Sequence, residues 1–254
     1  MVFQIDPALI NRLENTYSDQ KLTPQDIDKM RLYETGNYYV PRVTSLLDTI
    51  KEDYLLQWAN SLGWKRMSYT KTLQTYADMG TLVHEEIENY LKNGIQGISP
   101  GFLSFREWWD KFITVNTITN IESEVSMSCP YFAGTTDLFC NANGKNCLVD
   151  FKTSKHISYK YIMQLAAYCY MMQTELNREI SYCIIFQVDK VESYKYQVYL
   201  YDLSSPEFQE MFTYALDYIM YLSCGFLHNQ YMRQKFEETE NIAKTASFES
   251  GYLL

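Results

Sequence analysis

A chain of 254 residues is long enough for one large domain with a full core. Its 46% hydrophobic and 21% charged residues are those of a globular protein, which excludes a disordered or low-complexity chain. The formal net charge of −9 argues against a broad basic surface for nucleic acid and leaves room only for a local basic groove.

The chain opens with two helix starts, Asp6-Pro7 and Thr23-Pro24, which predict helices to about Tyr17 and about Glu34, the second stopped by Gly36-Asn37. Tyr38 to Ser45 reads as extended before Pro41, followed by a helix starting after Thr44 or Ser45 and another over about 53–65. Arg42, Lys65, Arg66 and Lys71, near Trp58 and Trp64, have the makings of a strand-binding wall, or of a solvated helical surface with two core tryptophans. A long helix is predicted over about 70–92, with Met79, Val83, Ile87, Tyr90 and Leu91 as its apolar stripe and Asn93-Gly94 as its stop. His84 lies at the margin of that stripe with Glu88 one turn on, whereas Glu85 and Glu86 read as solvated. Phe102 to Val115 reads as a helix, and Ile118 to Met127 as a strand with a turn at Cys129-Pro130.

Next comes the stretch Gly134-Thr-Thr-Asp137 to Asp150-Phe151-Lys152-Thr-Ser, which turns on Asn143-Gly144, the strongest short signal for a two-residue hairpin. Counting outwards from that turn, Ala142 faces Lys145, Phe139 faces Leu148, Asp137 faces Asp150 and Thr135 faces Lys152. Thr135, Asp137, Asp150 and Lys152 then share one face, and Leu138, Cys140, Cys147, Val149 and Phe151 take the apolar one. Facing carboxylates with Cβ atoms roughly 5 Å apart repel each other, and a divalent cation offsets that repulsion. A lysine two residues on, on the same face, can bind a phosphate or orient a water. Two acids and a lysine so placed suit metal-assisted phosphodiester hydrolysis.

Beyond the hairpin a helix is predicted over about 158–175, with Lys160, Gln164, Tyr168 and Met171 on one face, and Lys155, His156 and Lys160 adding positive charge beside Lys152. Strands at about 180–188 and 194–201, a helix from Ser205 to about Ser223 and a polar tail from about Gln234 complete the chain. The fold class is therefore α/β, with a mixed central sheet of about five strands flanked by helices. The expected division is an N-terminal helical region (1–69), a core (70–233) and the tail (234–254).

Four motifs in this order resemble the PD-(D/E)XK nuclease superfamily, specifically its RecB-like exonuclease branch. They are Gly80-Thr-Leu-Val-His84 with Glu88; Glu124 in Ile121-Glu-Ser-Glu-Val; Gly134-Thr-Thr-Asp137 with Val149-Asp150-Phe151-Lys152; and Gln164-Leu-Ala-Ala-Tyr168. The resemblance spans roughly residues 40 to 200 and implies a restriction-endonuclease-like core. It implies that His84, Asp137, Asp150 and the Phe151 carbonyl hold Mg²⁺ or Mn²⁺, and that Lys152 acts in catalysis with Asp137, Asp150, Glu88 and Glu124. Gln164, Tyr168, Lys155, Lys160 and Thr135 would meet the substrate or support Lys152. The implied activity is exonucleolytic cleavage of single-stranded or unwound DNA ends, in replication, recombination or repair, with a partner from those processes. A phage or phage-infected bacterial setting fits the branch. A structure-specific endonuclease on the same core and a non-catalytic DNA-binding descendant are the alternatives.

The six cysteines form no C-x-x-C pair, and their spacing lacks the pattern of the branch members that carry an iron–sulfur cluster, so reduced thiols and no cluster are expected. Met1 to Pro7 has neither a basic region nor an apolar run, and no stretch has the length of a membrane span. A cytoplasmic protein with no membrane partner is the expectation.

Overall fold

The computed structural model describes residues 32–35 and 38–226. The first expected helix, most of the second and the polar tail lie outside these residues. A short antiparallel hairpin comes first, β1 (Leu32–Thr35) with β2 (Tyr38–Pro41), in which Thr35 pairs with Tyr38. The helix expected to reach Glu34 is thus corrected, because its last residues are a strand. Helices α1 (Val43–Asp48), α2 (Asp53–Trp64), α3 (Tyr69–Asn93) and α4 (Pro100–Val115) follow. Then come β3 (Ile118–Ser128), β4 (Ala133–Ala142), β5 (Lys145–Lys152), α5 (Tyr159–Leu176), β6 (Tyr182–Val188) and β7 (Tyr196–Asp202). A last helix, α6, covers 206–226 of the described residues.

The sheet order is β3-β4-β5-β6-β7. Only β5 and β6 pair in parallel, because α5 carries the chain back across one face between them. The architecture is α/β, with a five-stranded mixed sheet flanked by helices. Among the described residues no helix is long and apolar enough to cross a membrane.

Local chemistry sets the ends of the elements that matter most. Ser68 caps α3 by accepting the Lys71 N–H, and Gly94 ends it in the left-handed conformation at φ +70°, which costs a glycine nothing. Ser99 caps α4, with Pro100 in the first turn. Glu86, expected to be solvated, instead accepts the N–H groups of Ile98 at 3.0 Å and Ser99 at 3.1 Å and ties the α3–α4 loop to α3. The β4–β5 turn places Asn143 at φ +54° and Gly144 at φ +82°, both sides of a tight hairpin.

The sheet separates two cores. On one face Leu138, Cys140, Cys147, Val149 and Phe151 pack with Val83 and Ile87 of α3 and the aromatic residues of α4. On the other, Phe139 and Leu148 pack with α5, α6 and Val43, Leu46 and Leu47 of α1. Each fully buried side chain of this size contributes about 1.5–3 kcal/mol. Phe151 is the pivotal one for the site: its ring lies 5.4 Å from Phe105 and 6.1 Å from Phe186. The residue between Asp150 and Lys152 is thereby anchored in the core, and its two polar neighbours are fixed on the opposite face.

Candidate active site

The hairpin register begins as the sequence suggests, with Ala142 opposite Lys145, Phe139 opposite Leu148 and Leu138 opposite Val149. It then stops. Asp137 and Asp150, the next positions, do not continue the ladder, and β4 and β5 part there. The Asp137 carboxylate takes over the vacated bonding position, with Oδ2 accepting the Phe151 N–H at 2.6 Å. The N–H and C=O of one strand residue point to the same side, so the Phe151 carbonyl also faces the gap. On the other edge of β4, Glu124 lies opposite Asp137, between the pairs Ser123–Leu138 and Val125–Thr136. Its φ of +55° is a sparsely populated conformation for a non-glycine residue, and such strain collects at functional sites.

Into this gap α3 brings His84, whose Nδ1 lies 3.4 Å from Asp137 Oδ1. Gly80, one turn earlier, is what allows the approach: a Cβ there would come within 2.9 Å of Thr153 Oγ1 just past β5. His84, Glu88, Glu124 and Asp137 line one open cleft of about 630 Å³, with Gly80, Thr153, Ser154 and Lys190 on its walls. A second hollow, between the end of α4 and the start of β3, is lined by no titratable side chain.

Asp150 sits behind the cleft at 1% exposure, too deep to be left charged without a partner. Lys152 Nζ lies 2.5 Å from its Oδ2 and supplies that partner as an ion pair. Lys152 itself donates to Gln164 Oε1 at 2.8 Å, and Gln164 Nε2 donates to Tyr168 Oη at 2.9 Å. Tyr168 is wedged against Gly134, where a Cβ would meet its ring at 2.6 Å. A chain of contacts thus runs from Gly134 through Tyr168 and Gln164 to Lys152.

The electrostatics are those of crowded negative charge. Burial pushes the Asp150 carboxyl up to about 6, with Asp137 adding to the rise against the pull of Lys152. Burial likewise raises Glu124, and repulsion from Asp137 and Glu88 raises it further. Burial opposes the charge on His84, but Asp137 outweighs it and holds the imidazole above its ordinary value. For Asp137 burial acts upwards, and His84, Lys152 and the Phe151 N–H together bring the carboxyl below its ordinary value. Lys152 is desolvated, yet Asp150 and Asp137 keep its ammonium favoured.

Not every expected site residue lies where a substrate can reach it. Gln164 and Tyr168 are buried, Gln164 bonded to Lys152 and Tyr168 to Gln164. Lys160, expected as a phosphate contact, has its Nζ donating to the Ile50 carbonyl at 2.6 Å and pairing with Glu52 at 3.5 Å, which latches the α1–α2 loop to α5. Thr135 hydrogen-bonds Ser126 of β3 at 3.1 Å. Lys155 is exposed in the loop after β5. Lys190, not singled out from the sequence, stands on the cleft wall with Nζ bonded to the Tyr76 carbonyl at 2.9 Å. Nothing in the sequence around it signals this, because the contact joins positions more than a hundred residues apart.

No protein-family model matches this chain, and no curated protein matches its sequence. Among solved structures it is similar to that of SSO0001, with 17% identity over 84% of this chain and 83% of that one, at a TM-score of 0.38. That likeness is too distant to carry a function across.

Among the described residues no three of the acidic, histidine or cysteine side chains are already drawn together tightly enough to ligate one ion. The donors that border the gap are carboxylates, a backbone carbonyl and one imidazole, the set that hard divalent cations take. Several are engaged elsewhere: Asp137 Oδ2 by the Phe151 N–H, Glu88 by Lys92 at 2.5 Å, and Asp150 by Lys152. The repulsion that Asp137 exerts on Asp150 and on Glu124 is the feature a cation would relieve, and in chemistry the residues fit one.

Proposed function

We propose that this chain is a metal-dependent deoxyribonuclease of the PD-(D/E)XK type that hydrolyses DNA from single-stranded or unwound ends, with a place in replication, recombination or repair. The observation that carries the reading is the parting of β4 and β5 at Asp137 and Asp150, which assembles His84, both acids and Lys152 around one gap. His84, Asp137, Asp150 and the Phe151 carbonyl would hold Mg²⁺ or Mn²⁺. Once bound, such an ion supplies a water of lowered pKa and an electrophile for the phosphoryl oxygens.

The chain's own groups do the rest. Lys152, held from behind by Gln164, presents a positive charge at the position where negative charge grows during hydrolysis, and its fixed geometry avoids reorganisation at that moment. His84 and Asp137 orient each other. Glu88 and Glu124, which line the same cleft as Asp137, would accept a proton or steady a second charge there. The open cleft leaves room for an extended strand.

The test is digestion of 5′- and 3′-labelled linear single-stranded DNA beside a closed circle, in Mg²⁺, Mn²⁺ or EDTA, by wild type and Lys152→Ala. Metal-dependent loss of the linear strand alone, absent in the variant, is the expected result. Cutting of the circle would replace the exonuclease with an endonuclease. Wild-type rates in Lys152→Ala would sink the assignment of the site, and DNA binding without cleavage in either metal would favour a non-catalytic module.

A further inference from the structure

Residues 69, 73, 76, 80, 84 and 88 of α3 recur at spacings of four and three, so they form one stripe along the helix. Its C-terminal half carries His84 and Glu88. Its N-terminal half carries Tyr69, Leu73 and Tyr76, which are 37%, 43% and 41% exposed. The solvent side of an amphipathic helix is ordinarily polar, so this half is unusual. Leu73 and Tyr76 line the same cleft as His84 and Asp137, so the apolar half runs unbroken into the acids. Trp58 of α2 packs edge-on behind it, with ring centroids 5.4 Å from Tyr69 and 6.3 Å from Tyr76. Two rings are thereby held in place while remaining partly exposed.

Charge follows the same division. Residues 54–84 carry Lys65, Arg66 and Lys71 against the single acid Asp78, in a chain whose net charge is −9. Lys190 Nζ stands 5.0 Å over the Tyr76 ring. Aromatic rings with a lysine against one of them, in a groove that leads to acidic residues, suit a chain with π-faces and a phosphate backbone. A protein helix would gain little from the lysines, and a duplex keeps its bases stacked inside.

We propose that Tyr69, Leu73 and Tyr76, braced by Trp58 and flanked by Lys190, form a platform on which the bases of single-stranded DNA stack before the strand reaches His84 and Asp137. This rests on the nuclease reading for the choice of ligand. From Tyr76 to His84 is eight residues, about 12 Å along the helix axis. The platform therefore grips the strand at a distance from the bond that is cut.

The test measures binding of a fluorescent (dT)₁₂ strand by anisotropy in Ca²⁺, for wild type, Tyr76→Ala, Tyr76→Leu and Tyr76→Phe, with an abasic 12-mer and a 12-bp duplex as comparison ligands. Cleavage of the linear strand in Mg²⁺ and Mn²⁺ is followed in parallel. Tyr76→Ala and Tyr76→Leu should weaken (dT)₁₂ binding about tenfold, the worth of one stacked base, while Tyr76→Phe, which keeps the ring, stays within about twofold of wild type. The abasic strand and the duplex should not respond to any of the three. Equal affinities across the series overturn the platform, as does an abasic strand that binds as tightly as (dT)₁₂. A lowered Tm in Tyr76→Ala with unchanged affinity also overturns it, since the ring would then be packing against the chain itself. Cleavage by wild type with no dependence on Tyr76 leaves the nuclease reading standing alone; Tyr76-dependent binding with no cleavage leaves the platform and removes the nuclease. A wild type that neither binds nor cleaves overturns both.

Discussion

Gly134→Ala probes the contact chain behind Lys152 at its far end. The added Cβ would lie 2.6 Å from Tyr168 Cε1 and 3.3 Å from its Oη. Tyr168 is 2% exposed and hydrogen-bonded through Gln164, so its ring has nowhere to go without disturbing Lys152. Overpacking of this kind costs about 1–3 kcal/mol. Gly134 does not have a positive φ, so alanine also gains about 0.4–1 kcal/mol by restricting the unfolded chain. The net expectation is a loss of about 1–2 kcal/mol, or roughly 2–8 °C in Tm for a protein of this size. Thermal unfolding of Gly134→Ala, Tyr168→Leu and the double variant measures it. Tyr168→Leu makes room, so the alanine should cost less in that background and the cycle should show coupling above about 0.5 kcal/mol. Strictly additive costs, or an alanine variant as stable as wild type, would refute the argument.

Lys160→Ala should destabilise the protein by about 1.5–3 kcal/mol, since it removes the ammonium that holds the Ile50 carbonyl and Glu52, yet leave affinity for DNA unchanged. Urea unfolding beside a binding titration separates the two effects, and weaker binding at wild-type stability would restore Lys160 to the substrate path. Glu86→Ala should lose about 1 kcal/mol by leaving the N–H groups of Ile98 and Ser99 without their acceptor, again read by urea unfolding. Burial pushes the Cys129 thiol up to about 12, which lowers its thiolate fraction at pH 8. Alkylation of Cys129 in the folded protein at pH 8 should run on the order of a thousandfold slower than for an ordinary thiol near 8.5, as read by peptide mass spectrometry. Labelling at the ordinary rate would show the site open.

The hairpin was legible because its information is local. Asn143-Gly144 sets the turn, the alternation of Leu138, Cys140, Cys147, Val149 and Phe151 sets the buried face, and the pairing as far as Leu138–Val149 follows from those two. Its end was not legible. Whether β4 and β5 continue past Val149 depends on β3, with Glu124 at positive φ, and on α3, brought close by Gly80, and neither is visible in the hairpin's own residues. Carboxylates read as facing pairs in a ladder are therefore set around a gap. The same limit applies to Glu86, which reads as solvated, and to Lys160, which reads as a substrate contact, because their partners lie 12 to 110 residues away. Leu32–Thr35 shows the converse error: a helix start at Thr23-Pro24 was extended through residues whose conformation is set by pairing with β2.

One backbone proton records the state of the whole site. Beyond Val149 the β4 side of β5 has lost its ladder, and the hydrogen bond of the Phe151 amide there goes to a side chain, the Asp137 carboxylate, so its exchange with deuterium is expected to follow that carboxylate. Its neighbours at 148 and 149 lie within the paired part of the sheet and exchange only as that sheet opens. Any event that draws Asp137 Oδ2 away, whether protonation, a captured cation or an arriving phosphate, shifts Phe151 alone against that fixed background. The site thus carries a built-in reporter, readable residue by residue without a label and without turnover.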